Sequence, residues 1–305
     1  MRQLAGSLCS LGLGISAFCG SAMAIDRTDS KAPDAVMVRT VGEQKHFALA
    51  LRSAFAPVSV KRHLLLVDTS ASQTGIYRMR TLATLQELLR AIPAGHEVQL
   101  VAADSTVRSL TEGFVAAGSA DLTAAIQKLK QTTPMGATDL ASAIRETLPT
   151  TAGAAISVAY IGDGMSAGDM LSGADLDAVV NDLQARQASF HAMLLGPRVD
   201  AQLAGILANQ TGGSLQLLST DDVTSAAKTI AAEIQHAPVL VRDLKITTTG
   251  LTLAAPDVVA LRADRHTLVF GAGSASGAIT VTATVQGKAQ TWTINPADVQ
   301  QGGSE

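Results

Sequence analysis

The sequence predicts an α/β protein, a doubly wound and mostly parallel sheet joined to a second, small all-β module. Three observations carry this. From Lys61 to about Gln235, short apolar runs alternate with amphipathic stretches. Those runs are continuously apolar, as strands covered on both faces are. After Pro238 the composition turns to Val, Ile and Thr broken by turn signals, the mark of strands joined by hairpins.

The first 24 residues, "MRQLAGSLCSLGLGISAFCGSAMA", are of another kind, with a basic start at Arg2, an apolar middle and an Ala22-Met23-Ala24 end. That is the pattern of a cleaved secretory signal. A membrane anchor needs roughly 18 or more consecutive apolar residues, and Gly and Ser interrupt this run. A lipoprotein signal at Cys19 is disfavoured by the bulky Phe18. The expectation is an exported protein, periplasmic or secreted. Both cysteines, Cys9 and Cys19, fall inside the segment, so the mature chain relies on a hydrophobic core rather than disulfides. The formal charge of −3 includes Arg2. No basic patch appears, and one Trp, two Tyr and six Phe offer little for bases to stack on, so nucleic acid is not an expected partner. No later segment is apolar and long enough to span a bilayer.

Residues 25–60 read as an extended segment. In it "AVMVRTV" and "KHFALAL" (35–51) alternate and could pair with the C-terminal module. The α/β domain occupies 61–237. Its strands are "HLLLV" (63–67), "VQLVAA" (98–103), "ISVAYI" (156–161) and "SFHAMLL" (189–195), with an edge strand at "VRSLTEGFV" (107–115). Helical spacing places Leu82, Leu85, Leu89 and Ile92 on one face, and likewise Leu122, Ile126 and Leu129, then Leu176, Val179, Val180 and Leu183. A last helix carries Val223, Ala227, Ile230 and Ile234, with Ser219 or Thr220 as its cap. Alternating strands and helices make parallel βαβ units with helices over both sheet faces. Residues 238–298 form the β-rich module, with Trp292 as a core anchor, and 299–305 a flexible, polar tail.

Ligands of an open parallel sheet sit beyond the C-terminal ends of its strands. Three loops there carry oxygen donors: Asp68-Thr69-Ser70-Ala71-Ser72, "TTPMGATDL" with Thr138, and "YIGDGMS" with Asp163. Two carboxylates and three hydroxyls, with no His or Cys, suit a hard divalent cation. Mg2+ takes six oxygens at about 2.0–2.1 Å and keeps several waters.

Asp68-x-Ser70-x-Ser72, Thr138 and Asp163-Gly164 together resemble the metal-ion-dependent adhesion site of von Willebrand factor type A (VWA) domains, and "NQTGG" (209–213) is also similar to that family. The resemblance covers roughly Lys61 to Gln235 and implies a doubly wound, Rossmann-like fold. It implies that Ser70 and Ser72 bind the metal directly, that Thr138 joins in the ligand-bound form, and that Asp68 and Asp163 act mostly through waters or alternate between direct and water-mediated contact. Mg2+, or Mn2+, is implied ahead of Ca2+. Thr69, Gly136, Asp139 and Gly164 stand as partner-contact positions. The implied function is adhesion-type protein binding, the metal capturing an Asp or Glu of a partner. Neutral hydroxyls in direct contact leave the cation positive enough to attract that carboxylate.

Blander readings stand beside this one. Asp, Ser and Thr also cap helices, and "DTSAS" or Thr138-Asp139 alone could do only that. Gly164-Met165-Ser166-Ala167-Gly168 matches the esterase G-x-S-x-G elbow, but His191 falls inside a strand, only His236 at the end of the last helix and His266 in the β module could serve a triad, and no acid is clearly placed. A D-x-D phosphatase lacks its second carboxylate, since Ser70 stands there. The six histidines show no H-x-x-x-H pair for zinc. No enzyme is expected. The remaining alternative is a constitutive envelope scaffold that docks through the same domain without metal.

Overall fold

The computed structural model describes residues 35–41, 44–53, 58–149, 153–166, 173–218, 223–254, 258–273, 278–285, 288–294 and 299–301. The signal-like segment, the caps at Ser219 or Thr220, and Ala167 and Gly168 lie outside them. The chain divides into two compact units. One is Pro57–Pro238; the other joins Met1–Ala56 to Val239–Glu305.

In the second unit, strands β1 (Ala35–Val41) and β2 (Gln44–Leu51) come from the N-terminal part. In the Pro57–Pro238 unit come β3 (Val58–Ser59), β4 (Arg62–Asp68), α1 (Ile76–Ala91), β5 (Glu97–Ala103), β6 (Val107–Ser109), β7 (Val115–Ala116), α2 (Ala120–Gln131) and α3 (Leu140–Thr147). They are followed by β8 (Ile156–Gly162), α4 (Gly173–Ala185), β9 (Ala188–Leu194), α5 (Ala201–Thr211), β10 (Leu215–Leu217), α6 (Val223–Glu233) and β11 (His236–Ala237). The order across the main sheet is β10-β9-β8-β4-β5-β6, with β7 also on β5. The strands from β10 to β5 pair in parallel; β6 and β7 are antiparallel.

Successive strand residues point to opposite faces, and both faces here are covered. Leu64 and Leu66 of β4 join the core beneath α3, α4 and α5, while Leu65 and Val67 join the core beneath α1, α2 and α6. Each fully buried leucine contributes about 1.5–3 kcal/mol, which is why an unbroken apolar run belongs in this sheet. The chain leaves β4 toward β5 on one side and later returns to β8 on the other. The switch point therefore lies between the ends of β4 and β8, beside Asp68 and Asp163.

Three local readings differ from expectation. The buried stripe of α1 runs through Thr81, Thr84, Leu85 and Leu88, leaving Leu82 and Leu89 only partly covered. Thr81 tolerates burial because its hydroxyl donates to Gln73 Oε1 at 3.0 Å. The expected edge strand 107–115 is two short strands. Between them Thr111 turns inward, accepting the Leu100 N–H at 3.1 Å and donating to Gly113 O at 2.8 Å. His236 does not end a helix; it pairs with Ser59 in the β11–β3 ladder.

The other unit adds β12 (Val239–Ile246), β13 (Leu251–Ala254), β14 (Val258–Leu261), β15 (Thr267–Gly273), β16 (Ile279–Val285), β17 (Lys288–Ile294) and β18 (Val299–Gln301). With β1 and β2 they form a five-stranded sheet, β13-β15-β2-β1-β18, and a four-stranded sheet, β14-β12-β16-β17. Val299–Gln301, expected as part of a flexible tail, instead pair in parallel with β1, whose main-chain groups they satisfy. Strand β2 pairs with β15, for example Phe47 with Gly271. Phe47, Leu49, Val241, Val281 and Trp292 meet in one core, the packing of a sandwich. Trp292 Nε1 donates to Arg52 O at 3.1 Å.

At the N-terminal end of β4, His63 is fully buried. Its Nδ1 lies 2.7 Å from Ser157 Oγ and its Nε2 lies 2.9 Å from His96 Nδ1. Burial first, then the neighbouring His96, lowers its pKa from 6.5 to about 4. The unfolded chain thus takes up this proton before the folded one. The contribution of His63 to stability is complete above about pH 6.5 and is lost as pH drops toward about 4, by on the order of 3 kcal/mol. Urea unfolding midpoints are expected to decrease across that window and to decrease less in His63→Gln; equal slopes for the two proteins contradict this assignment.

Candidate metal centre

Asp68 ends β4 with its side chain fully buried. Its Oδ1 accepts the Ser70 N–H at 2.8 Å and the Thr138 hydroxyl at 2.9 Å. Its Oδ2 accepts the Tyr160 hydroxyl at 2.7 Å. Burial pushes the carboxyl above the ordinary carboxylate range and the nearby charge of Asp163 adds to this, against the hydrogen bonds from Ser70 and Tyr160. Ser70, 4 % exposed, places its Oγ 2.9 Å from Ser72 Oγ. Asp163 follows β8, buried, with Oδ1 accepting the Met165 N–H at 2.9 Å. The five expected donors, from three loops spread over 96 positions (68 to 163), thus share one neighbourhood.

The loops are tied to one another by main chain. Ala71 N donates to Gly136 O at 3.0 Å and Met135 N to Thr69 O at 2.9 Å, joining the first loop to the second. Asp200 N donates to Asp163 O at 2.9 Å and Leu195 N to Gly162 O at 2.8 Å, joining the third to the chain after β9. Two glycines leave room for the carboxylates. A Cβ on Gly196 would press on Asp163 Cβ at 2.6 Å, and one on Gly162 would run into Asp68 and the Tyr160 hydroxyl.

Not every expected contact position faces outward. Gly136 is exposed at φ +73°. Thr69 is fully buried, its hydroxyl donating to Asp104 Oδ2 at 2.8 Å, so its side chain braces the loop from within. Asp104 is itself held by Arg108 and Thr106, and these bonds outweigh its burial, lowering its pKa to about 2. Gly164 is likewise buried, its N–H donated to the Tyr160 oxygen at 3.0 Å. Asp139 caps α3, accepting the Ser142 N–H at 2.9 Å and the Ser142 hydroxyl at 2.7 Å. The helix therefore opens at Asp139, one residue after Thr138. Ser166 Oγ accepts the Leu140 N–H at 3.4 Å, while the His191 ring nitrogens face Ser189 and Ser214, which gives the esterase pattern no support.

The residues fit a hard cation. Two ligands at right angles on an ion with bonds of about 2.0–2.1 Å stand about 2.8–3.0 Å apart, a separation that the hydrogen-bonded Ser70 Oγ and Ser72 Oγ already have. A Thr138 hydroxyl that gives its proton to Asp68 keeps its lone pairs for a metal. Among the described residues no three His, Cys, Asp or Glu side chains gather, so any metal here rests on hydroxyls as well as carboxylates.

A family model for the von Willebrand factor type A domain matches residues 62–217, just over half of the chain. The chain belongs to the VWA family. Its fold is similar to a von Willebrand factor type A protein from Catenulispora acidiphila, with a TM-score of 0.57 and 13 % identity over 88 % of this chain and 74 % of that one. An ArnB paralogue, VWA2, from Sulfolobus acidocaldarius aligns with a TM-score of 0.46 and 14 % identity, covering 88 % of this chain and 72 % of that chain. The pilus adhesin SpaC from Lactobacillus rhamnosus GG aligns at 0.46 and 13 %, covering 87 % and 47 %. At such identities likeness bears on the fold alone. No curated protein matches. VWA domains are often protein-binding modules, generally without catalysis, and often hold a divalent cation at the adhesion site. Among the described residues no helix of this VWA protein is long and apolar enough to cross a membrane.

Sequence reasoning missed Tyr160, Asp104 and Arg108. Tyr160 is fully buried; its burial and the charges of Asp68 and Asp163 raise its pKa well above the ordinary value, so it stays a donor. Its signal was a polar-tipped ring two positions before a glycine in an otherwise apolar strand. Because Gly162 lies against both partners, Gly162→Ala is expected to cost about 1–3 kcal/mol in urea unfolding, and an unchanged midpoint contradicts the close packing.

Proposed function

We propose that this VWA domain binds a partner protein through a Mg2+ or Mn2+ ion held at Ser70, Ser72 and Thr138, with Asp68 and Asp163 behind them, and that it is not an enzyme. The observation that carries the reading is the Ser70–Ser72 oxygen pair at 2.9 Å above a carboxylate that already receives Thr138. A bound cation supplies a positive centre open to an Asp or Glu of the partner. The chain's own groups do the rest. The hydroxyls hold without neutralising, since they carry no charge. Buried Asp68 and Asp163 balance the ion's charge from a distance, while water is excluded below by Leu66, Val67 and Ile161. Met135 and Met165, 62 % and 37 % exposed, stand on two of the site loops and offer apolar contact beside the captured carboxylate.

Export to the periplasm or beyond remains part of the proposal, motivated by the first 24 residues. A partner met there would be an envelope or surface protein. Metal-independent scaffold docking is the contrary reading, and chelation separates the two.

Saturating Mg2+ is expected to stabilise the protein by roughly 2.7 kcal/mol at a hundredfold excess over Kd, reversed by chelator. Asp68→Ala, Ser70→Ala and Asp163→Ala are expected to fold, by circular dichroism, yet bind Mg2+ at least about tenfold more weakly in calorimetry. Unchanged affinity in Asp68→Ala means the site is misassigned. A partner captured from envelope extract with Mg2+ is expected to be lost on chelation; retention favours the scaffold.

A further inference from the structure

Tyr160 lies on β8 directly under the site, and the five donor positions do not account for it. Its oxygen accepts the Gly164 N–H at 3.0 Å. With that role filled, its single proton goes to Asp68 Oδ2 at 2.7 Å. The other carboxylate oxygen accepts Ser70 N–H and the Thr138 hydroxyl. A carboxylate has about four acceptor positions, and three are thus filled by the protein. Gly162 is the condition for this arrangement, since a side chain there would strike Asp68 Cβ and the phenol oxygen together.

A carboxylate turned onto a cation forms a direct bond, displaces a water and cancels positive charge. A carboxylate held one shell back balances the ion and leaves it attractive to an outside acid. Which of the two Asp68 does depends on whether Oδ2 is free to turn.

We propose that Tyr160 is a positioning residue that pins Asp68 Oδ2 away from the metal, keeping Asp68 behind the hydroxyl and water ligands and the ion electrophilic toward a partner. This rests on the metal reading above and adds a device that sets the ion's residual charge. Replacing the phenol by a phenyl ring frees Oδ2 without removing any of the five donors.

The test uses the full chain and Mn2+ as the probe, counting metal-bound waters by electron spin-echo in oxygen-17 water. Tyr160→Phe is expected to keep Mn2+ affinity within about tenfold of wild type while holding about one water fewer. A merely structural tyrosine lowers stability and leaves the water count alone, so equal counts overturn the proposal. Wild type that binds no Mn2+ overturns the metal reading and this device with it, whereas binding with equal counts removes the device alone. A second measurement needs no variant at position 160. Wild type is expected to show a slowly exchanging phenolic proton resonance that survives in Tyr77→Phe and persists at saturating Mg2+. Its disappearance on Mg2+ addition means that Asp68 has turned, and the proposal fails.

Discussion

The site is built around one buried carboxylate. Asp68 is fully buried at the end of β4, in the middle of a sheet covered on both faces. Such a group is costly unless donors or a cation meet it. Here the donors come from the loop it opens, through Ser70, from the loop before α3, through Thr138, and from the neighbouring strand, through Tyr160. Satisfying Asp68 therefore pulls together three parts of the chain that are far apart in sequence, and in doing so gathers the hydroxyls that a hard ion requires.

The topology makes that gathering possible. The chain departs from β4 in one direction across the sheet and re-enters through β8 in the other, so their ends part to form a crevice. Asp68 closes one of these strands and Asp163 follows the other. The second carboxylate has its own setting, in which Gly196 makes room and Asp200 N donates to its main-chain oxygen. A rigid platform of this kind holds donor atoms at separations suited to a small cation and leaves loop tips such as Met135 and Gly136 exposed.

Much of this was legible in the sequence, and the physical reason is periodicity. Runs such as "HLLLV" and "ISVAYI" are apolar at every position because both sheet faces are buried, and that can be read without knowing neighbours. The oxygen-bearing loops were legible because each directly follows such a run or opens a helix. What escaped depended on partners distant in the chain. Tyr160 sits 92 positions from Asp68 and reads locally as one more large strand residue. The stripe of α1 was misplaced because Thr81 counts as polar until Gln73 is seen to accept from it. Thr69 reads as an exposed loop hydroxyl, yet Asp104, 35 positions away, draws it inward. The stretch 107–115 reads as one strand because nothing in its composition announces that Thr111 turns in and breaks it.

Whether these oxygens hold an ion at all is the claim on which everything functional turns. Anomalous diffraction from crystals of the protein grown with Mn2+ tests it directly. A single strong peak is expected within bonding distance, about 2.1 Å, of the Ser70 and Ser72 hydroxyl oxygens, with Asp68 outside that shell. A map with no peak between the ends of β4 and β8, or with the ion bonded elsewhere on the chain, would contradict it.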